Sequence, residues 1–289
     1  MSFTAYLPWA FRWCGDIPEY CVSGMRFFFG LGAYIMALAT KNMIPGIPGI
    51  LTTSLGAILL ALVAVTLFAV VLGYFLFYGR LSGPYLGIVT LAIAVISERI
   101  AVKWYYIGGF NGLINVPPLS IAGWEIYNFK ALFYIILIIG LAVYLICNRI
   151  VRSPFGTILA AVRDNEVRAE FFGYNIARYK IIIFAIGAAV AGLAGALFAA
   201  VTEFVSPTML GFGLSTEVLI WVALGGKEVL LASFLGAVLV RILEAILSDI
   251  LTYYWILILG MFFVLCVMFF PKGVFGNLLA FGSRHRSSK

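Results

Sequence analysis

The chain is organised by long apolar runs separated by short polar connections. A helix needs about 20 residues to cross ~30 Å of hydrocarbon, and windows of that size pick out eight candidate runs: 27–40, 52–77, 84–101, 131–148, 180–202, 204–224, 230–247 and 254–270. Within them apolar residues cover every face, as from Leu55 to Phe77. A transmembrane barrel would alternate apolar and polar residues over ~10-residue segments instead. The pattern therefore predicts an all-α, polytopic membrane bundle of about eight spans. The first run is short at 14 residues, and the run 204–224 is broken by Ser206, Pro207, Gly211, Gly213 and Glu217. We read 204–224 as a discontinuous span that lines a pathway, because irregular backbone at membrane depth survives only where protein or water satisfies it. The alternative is an outer loop ending near Gly213, followed by a short ordinary helix.

Composition agrees. Hydrophobic residues make up 64% and charged residues 11% of 289 positions, with a mean hydropathy of +1.10. That leaves too little polar surface for a water-facing globule, a disordered chain or a nucleic-acid-binding domain. Membrane lipid is the expected surroundings, and no nucleic-acid partner is expected. The N-terminal stretch carries Asp16, Glu19 and two prolines, so it does not read as a cleaved signal peptide.

The net charge of +7 is distributed unevenly. With 149–179 placed in the cytoplasm and every run spanning, the inside segments hold 14 Lys and Arg and the outside segments hold Lys41, Lys103 and Lys130. This is a positive-inside signature, and it puts the basic tail, 277–289, in the cytoplasm.

Chemistry-bearing residues are sparse. Cys14, Cys21, Cys147 and Cys266 show no CxxC spacing, and His285 is the sole histidine, so neither a metal cluster nor a Cys/His nucleophile is expected. Lys227 lacks the flanking residues of a phosphate-binding P-loop. No covalent chemistry and no cofactor are expected of this chain. Small residues recur at four-residue spacing as Gly187, Ala191, Gly195 and as Ala188, Gly192, Ala196; such ridges let helix backbones approach closely, within one subunit or between two. The outer connection 102–130 carries Gly108-Gly109-Phe110-Asn111-Gly112 and Pro117-Pro118, which read as turns and could also hold a half-helix at the outer mouth.

The connection from Arg149 to Tyr179 is far longer than a helix-to-helix turn requires. Asp164 or Asn165 can cap a short helix there, and Gly173 can end it in a left-handed conformation. Val167 and Phe171 fall at i and i+4, with Glu166, Arg168 and Glu170 on other faces. A solvated or interfacial segment and a docking helix for a soluble partner both fit this pattern.

Here a family resemblance becomes specific. Glu166-x-x-Ala169-x-x-x-Gly173 resembles the coupling motif of ABC importer permeases. Its flanks Arg163-Asp164-Asn165, Tyr174-Asn175 and Arg178-Tyr179-Lys180 resemble the permease subunits of branched-chain amino acid importers and their urea-transporting relatives. Gly108-Gly109-x-Asn111-Gly112-Leu113, Ala191 to Leu197, Ser206-Pro207, Ser215-Thr216-Glu217-Val218, Leu224-Gly225-Gly226 and Phe270-Pro271-Lys272-Gly273 extend the likeness over roughly 27–276. The resemblance implies a homologous second permease subunit, cytoplasmic ATP-binding subunits, an external solute-binding protein and a bacterial inner-membrane location. It makes Glu166, Val167, Ala169, Phe171 and Gly173 the ATPase-coupling residues. Asn111, Gly112 and Glu217 are the substrate-pathway candidates.

The family pattern Phe28-Phe29-Gly30-Leu31-Gly32-Ala33-Tyr34 is present, but Cys21 to Arg26 replaces the motif that usually precedes it. Residues 1–26 are therefore set apart as an atypical N-terminal segment. The expected function is that of the membrane subunit of an ATP-driven importer for branched-chain or other hydrophobic amino acids. Urea is the alternative solute. An ion-coupled carrier is the rival class, for which the intramembrane acids are Glu98, Glu217 and Glu244, two of them near Arg99 and Arg241.

Overall fold

The computed structural model describes residues 18–44, 52–81, 84–121, 124–125 and 128–211, with isolated helical positions at 242, 260 and 261. The described helices and strands fall within one compact unit, Trp13–Leu214. They comprise α1 (Pro18–Thr40), α2 (Ser54–Tyr78), α3 (Pro84–Lys103), two 3-10 turns (Tyr105–Ile107 and Gly109–Asn111), β1 (Leu113–Ile114), β2 (Ser120–Ile121), β3 (Trp124–Glu125), α4 (Phe129–Val151), α5 (Pro154–Asp164), α6 (Glu166–Phe171), α7 (Ile176–Thr202), β4 (Phe204–Val205) and a last 3-10 turn, Pro207–Met209. The expected spans 230–247 and 254–270, the later part of 204–224, and Glu217 lie outside the described residues, apart from those isolated positions.

Among the described residues, four helices are long and apolar enough to cross a membrane: Ser54–Tyr78, Tyr85–Lys103, Lys130–Val151 and Ile176–Thr202. They match the apolar runs to within a few residues, and the protein is a multi-pass helical membrane bundle. α1 differs at its start. It is continuous from Pro18, so residues 18–26 of the segment set apart as atypical and the 27–40 run share one helix. Polar positions such as Glu19, Ser23 and Arg26 dilute the hydropathy of its first turns and hide them from an apolar-window reading.

The core forms around α7. Its most apolar window is 67% buried, against 22% in α2 and 17% in α4. The small-residue ridges explain why. Gly195 sits against the backbone carbonyl of Phe29 in α1, and Gly192 meets both Gly32 of α1 and the Val65 side chain of α2, with no room for a Cβ at any of these glycines. In this unit the stripe is thus spent on packing α1 and α2 onto α7. α2 contributes a matching stripe, Ala57, Ala61, Val65, Ala69 and Gly73, all buried at four-residue spacing. Between membrane helices, where lipid tails are as apolar as the side chains, close approach of this kind supplies the dispersion attraction that holds neighbours together. Aromatic rings close the layer: Phe184 of α7, fully buried, meets Phe28 at 5.4 Å and Phe77 at 5.8 Å, edge to face.

The connections gather at two opposite ends. At one end Glu203 adopts a left-handed φ of 54° and stops α7. The chain then forms β4, which pairs antiparallel with β1, Leu113 opposite Val205 and Ile114 opposite Phe204. The first residues of the expected discontinuous span 204–224 are therefore a strand and a 3-10 turn. They are held at the bundle's end by Leu113–Val205 pairing and by Val116 N–H donating to the Glu203 carbonyl at 2.9 Å. Lys41 Nζ donates to the Ile114 carbonyl at 2.5 Å, and Ser54 Oγ to the Pro118 carbonyl at 3.1 Å, fastening α1 and α2 to the same cap. The other end collects the termini of α2, α4 and α7 with α5 and α6, and carries Arg80, Arg149, Arg152, Arg168, Arg178 and Lys180.

Candidate functional site

The basic-rich end is built from the turn of the chain between α4 and α7. Ser153 precedes Pro154, whose fixed φ suits the first position of α5. Phe155, Leu159 and Val162 follow at i, i+4 and i+7, and Leu159 and Val162 are buried. That helix was absent from the sequence-based reading, although the Ser-Pro start and the apolar spacing both signal it.

Asn165 breaks α5 with an extended backbone and caps α6, its side-chain oxygen accepting from Arg168 N–H at 3.0 Å. At the far end Gly173 turns left-handed at φ 86°. Gly173 N–H then donates to the Glu170 carbonyl at 2.9 Å and Tyr174 N–H to the Ala169 carbonyl at 3.4 Å, the two crossed bonds of a Schellman stop. Six residues cannot hold a helix alone in water, so these two caps carry α6. Asn175 repeats the device for α7 by accepting from Arg178 N–H at 3.2 Å.

Successive side chains on α6 are about 100° apart, which sorts the predicted residues into three sectors. Ala169 turns inward and is 3% exposed. Glu166 and Glu170 share a second sector and meet cations: Glu166 Oε1 lies 2.7 Å from Lys180 Nζ, and Glu170 Oε1 lies 4.0 Å from Arg80 Nη2. Val167 and Phe171 form the third, 63% and 87% exposed, and Phe172 beside them is 81% exposed. Three large apolar side chains facing outward on a doubly capped turn, Val167 and Phe171 on one face and Phe172 at the C-cap, are costly unless covered. The sector borders an open cleft of about 570 Å³ lined by the end of α2, including Phe77 and Arg80, by α6 and by the start of α7. Glu166, Val167 and Gly173 line that cleft. Phe172 is an addition to the residues that the sequence singles out, signalled by the run Phe171-Phe172-Gly173; Lys180, in the family-like flank Arg178-Tyr179-Lys180, gains a place in the cleft.

Asn111 and Gly112 lie at the opposite end, separated from α6 by the length of α7, roughly 40 Å at 1.5 Å per residue. Asn111 is exposed and closes a 3-10 turn. Gly112 is buried at φ 72°, with its Cα against the Val205 carbonyl, where no side chain fits. The outer connection is thus two 3-10 turns and three two-residue strands among the described residues, with no half-helix. The coupling residues and the Asn111–Gly112 turn are not brought together; they occupy the two ends of one bundle. Among the described residues no cluster of His, Cys, Asp and Glu could hold a metal ion.

The profile of the family described as "Branched-chain amino acid transport system / permease component" matches residues 24–270. The chain belongs to this family. Similar proteins include the high-affinity branched-chain amino acid transport system permease protein LivM of Escherichia coli, 33% identical over 220 residues that cover 68% of this chain and 51% of the relative. LivM of Salmonella typhimurium gives the same identity and coverage. The probable LivM of Methanocaldococcus jannaschii is 29% identical over 242 residues, 79% of this chain and 68% of the relative. The chain thus spans about half the length of the two bacterial relatives. Among solved structures none matches it. The family match begins at residue 24, inside α1, and takes in both ends of the bundle, the capped α6 and the Asn111-Gly112 turn alike.

Proposed function

We propose that this permease is the membrane subunit of an ATP-driven importer of branched-chain amino acids, and that α6 is where a cytoplasmic ATP-binding subunit docks. The observation that carries the reading is the pair Val167 and Phe171 on one face of a doubly capped turn at the basic-rich end, exposed together with the adjoining Phe172. A short apolar ridge of this kind suits a groove on a soluble partner. Basic residues at the same end support its cytoplasmic side in an inner membrane. Ala169, buried against its own subunit, serves this reading by letting α6 seat closely, and Gly173 by turning the chain sharply. Hydrolysis of ATP belongs to the partner, and an external binding protein with a second homologous permease subunit would complete the assembly.

At the opposite end the exposed Asn111, beside the rigid Gly112 turn, has the position of a residue met by solute on entry. The relatives' names favour amino acids over urea. Uptake of labelled leucine should be tested in cells that lack their own importer and are supplied with this chain and its partner subunits. Uptake must stop when the ATP-binding subunit is disabled by substitution in its phosphate-binding loop. Uptake that persists would replace this reading with an ion-coupled carrier.

A further inference from the structure

Two carboxylates one helical turn apart on α6 each face a cation from a different membrane-spanning helix. Glu170 meets Arg80, just past the end of α2, at 4.0 Å, with both side chains largely exposed. Such a pair contributes little and is easily broken. Glu166 meets Lys180 of α7 at 2.7 Å, and here the Lys180 side chain is only 11% exposed. Lys180 lies in the second turn of α7, packed into the bundle. A buried ammonium in that place needs its carboxylate, and replacing an ion pair of this kind by apolar side chains often costs no stability. Packing α6 down is therefore not what the charges are needed for. Ala169 already does that, and α6 otherwise rests mainly on α5 and only lightly on α7.

We propose that the Glu166–Lys180 pair is the link through which a displacement of α6 reaches α7, making Lys180 a positioning residue for coupling, with Arg80 and Glu170 as a weaker second tether to α2. α7 is the helix on which α1 and α2 are packed through their glycine contacts, so a pull at Lys180 is delivered to the centre of the bundle. The proposal rests on docking at α6 for its role in transport, but the link itself is a property of this chain alone.

The link is read first without any partner. The full-length chain, with native cysteines replaced, carries spin labels at Arg168→Cys on α6 and Ile182→Cys on α7, both exposed positions. Lys180→Met should broaden the distance distribution between the labels, and the exchanged pair Glu166→Lys with Lys180→Glu should narrow it again. In the assembled transporter Lys180→Met should keep the ATP-binding subunits yet lower solute-stimulated ATP hydrolysis by about 5-fold or more, the scale of a typical coupling free energy. The exchanged pair should recover it. An unchanged distance distribution and unchanged stimulation in Lys180→Met, with the subunits retained, would overturn the link and leave docking intact. A wild-type chain that retains no ATP-binding subunit, while its label distances still respond to Lys180→Met, would remove docking and keep the link.

Discussion

Gly195 of α7 lies directly against the Phe29 carbonyl of α1, with no space for a methyl group between them. That contact, repeated one turn away where Gly192 meets Gly32 and Val65, sets the separation of the three central helices. Gly195→Val should therefore prevent a stable bundle, seen as loss of the monodisperse peak in detergent and rapid proteolysis. Gly173→Ala makes an informative comparison. Nothing lies within 4 Å of a Cβ at 173, so its cost is confined to backbone strain at φ 86°, about 1 kcal/mol. The Gly173→Ala protein should remain in the membrane with its bundle intact.

The cap at the basic-poor end depends on Gly112 in two ways, a left-handed φ and a close approach to the Val205 carbonyl. Gly112→Ala should separate β1 from β4 without disturbing α7. A cysteine placed at Val205, buried in the parent, should become reactive to a water-soluble maleimide only in the Gly112→Ala background.

Much of this architecture is legible in the sequence, for a physical reason. Hydrocarbon demands unbroken apolar runs, so α2, α3, α4 and α7 stand out within a few residues of their ends. Close backbone approach demands small residues, so the α7 stripe is visible too. Asn165 and Gly173 announce the limits of α6 because helix ends must satisfy their own backbone groups. The remainder depends on partners distant in the chain. Nothing local to Leu113 and Ile114 specifies pairing with Val205 and Phe204, some 90 residues on. Nor does Lys180 declare that it will be buried beside Glu166. The run 204–224 misleads at its start because Phe204 and Val205 are as apolar in a two-residue strand as they would be in a helix. α5 escapes an apolar-window search because its 11 residues are too few to fill a spanning window.

The two partners of the Glu166–Lys180 ion pair, one buried and one half exposed, should not be equivalent. Removing the charge of Glu166 leaves the ammonium of Lys180, 11% exposed, without its counter-charge. Because Glu166 is itself about half exposed, the loss is smaller than for a fully buried pair but larger than for a surface one. Removing Lys180 leaves a carboxylate that is half exposed and can be hydrated. Glu166→Gln should therefore lower the thermal unfolding temperature of the purified chain more than Lys180→Met does. Equal losses would mean that Lys180 is not buried as described.

Sidedness follows from the basic residues. A single cysteine at position 168 should react with an impermeant reagent only in inside-out vesicles, and one at position 105, where Tyr105 is 93% exposed, only in intact cells. The reverse pattern would invert the bundle and take α6 away from any cytoplasmic partner.

Docking at α6 is tested most directly by a photoreactive amino acid placed at Phe171 in the assembled transporter. Illumination should join the chain to its ATP-binding subunit from position 171 and from Val167. The same probe at Ile182, on the exposed flank of α7, should give no such product. Failure to capture the ATP-binding subunit from 171 and 167, in a preparation that still transports leucine, would contradict the assignment of α6 as the docking element.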